Sequence, residues 1–171
     1  MNYYRYEKSQ LKSLGTWICT IAFLFCFLLN VGANTEAASD NLPEPIEFSL
    51  LLYFIGLSIC LALTNNALFF SHEQGKRIFI LQKYRFFPAD LRKMFLTKAL
   101  LLLRELLICL VLSLAIYLFI IFGKYGTAAE LKEPLGLFLM AGIFGLGFSA
   151  VSLILDAVLL WNCLLYTSDA A

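Results

Sequence analysis

The chain has 171 residues, 61% of them apolar and 15% charged, with a mean hydropathy of +0.81. A soluble fold carries about 45–50% apolar and roughly 25% charged residues, and a chain this short has too little interior to hide the surplus, which must therefore face lipid. Thirteen Lys and Arg against twelve Asp and Glu leave a net charge of +1, which excludes both the basic footprint of a nucleic-acid binder and a polyanionic tail.

An apolar run of about 18 residues crosses ~30 Å of hydrocarbon at 1.5 Å per residue, and only a helix satisfies the backbone of such a run internally. In chain order the segments 14–31, 48–70, 99–122 and 135–161 meet this length. None shows the alternation that a membrane barrel strand needs. The expected fold class is all-α, a polytopic integral membrane helix bundle with four transmembrane helices inside one domain, 1–162. A basic start, an apolar run and the triplet Val31-Gly32-Ala33 also fit a cleavable signal peptide. The run is longer than a usual signal core, which favours a retained span.

The positions of Lys and Arg set the expected topology. The amino-terminal stretch carries Arg5, Lys8 and Lys12, and the connection 72–98 carries Lys76, Arg77, Lys83, Arg85, Arg92, Lys93 and Lys98. The stretch 32–47 has no cation and holds Glu36, Asp40, Glu44 and Glu47, and in 123–133 Lys124 and Lys132 are balanced by Glu130 and Glu133. By the positive-inside rule the amino terminus and the 72–98 loop are cytoplasmic, and the other two loops are outside. The closing string Cys163 to Ala171, CLLYTSDAA, resembles translated read-through of a sequencing adapter. Residues 163–171 are therefore set aside, and the natural chain is expected to be longer.

The 72–98 connection is more than a linker. Among its cations it places Ile78, Phe79, Ile80, Leu81, Tyr84, Phe86, Phe87, Leu91, Met94 and Phe95, apolar side chains that need a headgroup zone or a partner protein to bury against. Pro88 suits the first turn of a helix, with Asp90 in that turn where negative charge favours the dipole. Taken alone, these residues fit equally a basic interfacial elbow that anchors the third span.

The order Glu73, Gly75, a cationic-apolar helix including Ile78 to Leu81, Pro88, and Lys98 at the mouth of the next span resembles the loop of ABC-2-type ABC-transporter permeases. The outside loop with Leu42-Pro43-Glu44-Pro45 and the short basic amino terminus are similar in particular to the haem-exporter B branch, associated with cytochrome c biogenesis. Ala89 departs from the small polar residue usual after the Pro, and the family's later helices are missing. The resemblance implies a permease subunit of an exporter, a homodimer or a heterodimer with another permease. In this reading the 72–98 loop is a coupling segment docked on a separate ATP-binding subunit. The implied partner-binding residues are Glu73, Gly75, Arg85, Phe86, Phe87, Pro88, Leu91 and Lys98, with Arg85, Phe86, Phe87 and Leu91 foremost. A corner aromatic ringed by cations suits a polar-rimmed pocket on a partner.

Three charges fall inside the spans. Arg104 and Glu105 lie near the cytoplasmic mouth of the third and are expected to snorkel separately rather than bridge, since adjacent helical positions do not face each other. The alternative is a charge facing a translocation path or a second subunit. Asp156, with a shorter reach, is expected to find a partner such as Arg104. Ala141, Gly145 and Ser149, with Gly142 and Gly147 beside them, form a small-residue ladder for close helix packing, expected within the chain rather than across a dimer.

The five cysteines Cys19, Cys26, Cys60, Cys109 and Cys163 lack zinc-type spacing and read as small membrane-embedded hydrophobes. No GxxxxGK[ST] occurs, so any ATPase is a separate polypeptide. His72-Glu73 is followed by Lys76 where a zinc hydrolase needs its second histidine, and one histidine outside the spans builds no catalytic triad. The expectation is no enzyme, no cofactor and no metal. The rival function is a non-transport scaffold or anchor whose basic loop binds anionic headgroups; a small membrane enzyme is the weakest class.

Overall fold

A computed structural model of the chain describes residues 14–37, 50–73, 75–83, 90–125 and 132–165. The elements are α1 (Leu14–Ala37), α2 (Leu50–Phe69), β1 (Phe70–Glu73), β2 (Lys76–Phe79), α3 (Ile80–Lys83), α4 (Leu91–Tyr125) and α5 (Lys132–Leu165). The long helices match the four apolar runs of the sequence. Three of them carry stretches long and apolar enough to cross a membrane, Leu50–Phe69, Leu91–Ile120 and Leu135–Asn162. In α1 the described apolar stretch is shorter, Trp17–Val31.

Each helix turns one face inward at helical spacing. Thr20, Phe23, Phe27 and Val31 of α1 are buried, as are Tyr53, Leu57, Cys60, Leu61, Thr64 and Leu68 of α2. Helix α4 buries Met94, Lys98, Leu101, Leu102, Leu106, Cys109, Ser113 and Tyr117, and α5 buries Phe138, Ala141, Ser149 and Asp156. The outward faces carry large apolar side chains such as Ile21, Leu51, Ile59, Leu107, Val111, Phe119, Ile143 and Ile154. Polar groups inside and bare apolar groups outside invert the order that water imposes, and suit hydrocarbon as the surrounding solvent.

The fold is mostly helical, but not purely so. Where the sequence reading expects a cationic-apolar helix, the chain forms an antiparallel hairpin in which Phe70 pairs with Phe79, Ser71 with Ile78, His72 with Arg77, and Glu73 with Lys76. The cause is local. Gly75 has φ of 77°, a left-handed backbone suited to a tight hairpin turn, and Ile78 and Phe79 favour a pleated strand over a helix. The helical part of Ile78 to Leu81 shrinks to the single turn α3. Asp90 also shifts role. It stands before α4 rather than within its first turn, its backbone oxygen accepting from the Met94 amide at 3.1 Å and its carboxylate from the Lys93 amide at 3.3 Å. That is N-cap geometry.

Candidate functional site

The hairpin is bolted to the bundle through Phe69, the last residue of α2. Its ring lies 6.2 Å from that of Phe79 in β2 and 5.5 Å from that of Phe95 in α4, and Phe79 in turn meets Phe70 at 5.4 Å. Phe69 is fully buried. From the second turn of α4, Lys98 reaches the same place: its ammonium donates to the Leu68 carbonyl at 2.6 Å and sits 6.0 Å from the Phe69 ring. The last carbonyls of a helix have no partner within it, and a cation there also meets the negative end of the helix dipole. Hairpin, end of α2 and start of α4 thus share one aromatic and cationic hub.

The outer surface of this elbow is cationic. Lys76 and Arg77 are exposed, and the Arg77 guanidinium lies 3.7 Å from the centroid of Phe70. Stacking on the ring holds the charge at the hairpin surface.

The sequence-predicted residues divide between this site and the interior. Glu73 and Gly75 belong to the hairpin, Leu91 is half-buried at the start of α4, and Lys98 faces inward at 1% exposure. Lys98 therefore joins α2 and α4 within the chain. Arg85, Phe86, Phe87 and Pro88 lie outside the described residues.

Polar pairs line the seam between α2 and its neighbours at successive depths. The hydroxyls of Tyr53 and Ser113 are 2.8 Å apart, the sulfurs of Cys60 and Cys109 are 3.9 Å apart, and the Asn65 amide donates to the Asp156 carboxylate at 2.8 Å. Two expectations are corrected here. Asp156 takes its hydrogen bond from Asn65 of α2, not from Arg104, whose guanidinium is turned to Glu105. Arg104 does bridge its neighbour, its guanidinium donating to the Glu105 carboxylate. The long arginine stem folds across the one-residue step to reach the carboxylate.

The ladder Ala141, Gly145 and Ser149 packs inward as expected. A Cβ on Gly145 would lie 2.5 Å from Leu106 Cδ1 and 3.4 Å from Leu57 Cδ2, so the glycine lets α5 close on both α4 and α2. At the end of the bundle away from the hairpin, Phe23, Phe27, Tyr53, Tyr117 and Phe138 meet ring to ring, at 5.2 Å for Phe27 and Tyr53 and 5.7 Å for Tyr117 and Phe138.

Sequence reasoning missed Phe69, Asn65 and the facing of the two cysteines. Asn65-Asn66 inside an apolar run was the available signal for the second; the others depend on how helices face one another. Among the described residues, no three or more His, Cys, Asp or Glu side chains gather as a metal-binding group. Comparison with family models, with curated proteins and with solved structures finds no match.

Proposed function

We propose that the chain is a membrane permease subunit of an ABC-type exporter, driven through the 72–98 segment by a separate ATP-binding subunit. The observation that carries this reading is the hub at Phe69. A surface segment meant to transmit force needs stiff attachment to the spans, and here Phe79, Phe95 and Lys98 converge on the end of α2. A passive linker has no need of it. In the proposed cycle the ATPase closes, pushes the elbow, and tilts α2 and α4 against the packed face of α5. The aromatic cluster at the far end would part to release an apolar or amphipathic substrate outward. The proposed transport cycle needs no covalent step in this chain. The reading further includes α1 as a fourth span, a cytoplasmic amino terminus, a bacterial inner-membrane location, membership of the ABC-2 group near the haem-exporter B branch, and assembly as a homodimer or with a second permease.

The test is purification of the tagged chain in mild detergent with identification of co-purifying proteins. An ATPase whose retention drops at least tenfold on Phe87→Ala or Arg85→Glu supports the proposal. A preparation in which no ATPase is retained, and which binds vesicles containing anionic lipid through the same residues, supports instead a non-transport anchor. The exposed cations Lys76 and Arg77, at the turn end of the hairpin, are the observation that favours this second reading.

A further inference from the structure

Cys60 of α2 and Cys109 of α4 face each other across the bundle interior, 2% and 0% exposed, with their sulfurs 3.9 Å apart. Both are free thiols. Thr20 of α1 and Glu105 of α4 border the pair. Its depth lies between the Tyr53–Ser113 pair and the Lys98–Leu68 clamp, so it sits well inside the span. Helix packing alone does not require two thiols at one contact, since alanine or valine would fill the same space.

We propose that Cys60 and Cys109 are a redox latch, closed to a disulfide by a small neutral peroxide. One sulfur attacks the peroxide, the O–O bond breaks, and a sulfenic acid and one water form. The second thiol attacks the sulfenic sulfur, the S–S bond forms, and the hydroxyl leaves with the second thiol's proton as another water. The protein loses two hydrogens and the peroxide is reduced to two waters. Disulfide sulfurs are ~2.05 Å apart, so the two side chains must turn toward each other to close the bond. Location gives the latch its asymmetry. A neutral peroxide enters hydrocarbon, whereas a charged thiol reductant such as glutathione does not, so the closed form outlasts the oxidant. Because α2 and α4 are also the helices joined at the Phe69 hub, closing the latch ties them together at a second level. The inference does not rest on the transport reading.

The test uses the full chain in lipid nanodiscs with Cys19, Cys26 and Cys163 changed to Ser, and in parallel the unaltered chain mapped by differential alkylation in case the triple variant folds poorly. After hydrogen peroxide treatment and denaturing alkylation, the expected result is a mass lower by two hydrogens, neither thiol alkylated, and a cross-linked peptide joining residues 60 and 109. The thermal midpoint should rise by several degrees, return with a neutral dithiol, and stay put in Cys60→Ala. The proposal fails if both thiols remain alkylatable after peroxide has consumed Cys26 in the unaltered chain. It also fails if the two oxidise separately to sulfinic acids, or if the cross-link leaves the midpoint unchanged.

Discussion

The ammonium of Lys98 donates to the carbonyl oxygen of Leu68 across 30 residues of chain, closing the elbow between α2 and α4 with a buried charge. A desolvated ammonium is costly unless bonded, and a helix-terminal carbonyl in apolar surroundings is costly unless it accepts. Each group removes the other's penalty. Lys98→Met is therefore expected to destabilise the bundle by about 1–3 kcal/mol, because it leaves the acceptor unsatisfied. Lys98→Arg, which keeps the cation, should lose less. Thermal unfolding in nanodiscs measures both. Equal stability of Lys98→Met and the parent chain would show that the clamp holds nothing.

Gly145 and Gly147 differ by two positions and should differ sharply in tolerance. A side chain at Gly145 meets Leu106, itself 1% exposed and hemmed in, while nothing stands within 4 Å of a Cβ on Gly147. Gly145→Val should cost about 1–3 kcal/mol by overpacking, and Gly147→Val about zero. Pairing Gly145→Val with Leu106→Ala should recover part of the loss. Matching melting points for the two single variants would mean that α5 does not approach α4 along this ladder.

Much of this architecture is legible in the sequence, because the solvent that selects it is lipid. Apolar runs of sufficient length leave the backbone few choices, so the long helices cover the expected runs, 50–69 against 48–70 for the second, although α1 continues to Ala37 and α4 begins at Leu91 rather than at 99. The ladder was readable as a packing face, since small residues at four-residue spacing share one side of a helix. The hairpin was not. Its ten residues hold a turn glycine and the strand formers Phe70, Ile78 and Phe79, yet the cations and the following proline read equally well as a helical corner. Pairings such as Asn65 with Asp156 were hidden because they depend on rotation of one helix about its axis relative to another, which apolar periodicity this weak does not specify. Arg104 and Glu105 defeated a rule about adjacent positions that holds for short side chains better than for arginine.

Asp90 caps α4 in water, outside the spans, and its titration has a definite sign. The hydrogen-bonded Lys93 side chain, helped by the Lys93 backbone amide, holds its carboxyl below the ordinary 3.8. A depressed value means that the cap's contribution is fully present above the ordinary carboxylate range and is lost as pH falls through the lower, folded value. Carbon NMR of Asp90 in isotopically labelled chain should give a midpoint under 3.8. Asp90→Asn keeps an acceptor, so the first amides of α4 should stay protected from exchange at all pH values, whereas Asp90→Ala should expose them. A midpoint at or above 3.8 would mean that the carboxylate is solvated and the helix start is held by something else.

The bond from Asn65 to Asp156 links α2 to α5 with a carboxylate that is 3% exposed. Removing only the amide, as in Asn65→Leu, leaves that carboxylate without its donor, a loss of about 1–3 kcal/mol. Removing both, as in Asn65→Leu with Asp156→Leu, replaces the pair by apolar contact and should restore most of it. The coupling energy from the double-mutant cycle is expected at about 0.5–2 kcal/mol, the range of interhelical hydrogen bonds in membranes. Steric-trap unfolding in bicelles reads all four corners of the cycle. Strict additivity would show that the two residues do not act as a pair. It would leave Asp156 as an isolated intramembrane acid, which a bundle keeps only when the charge itself is put to use.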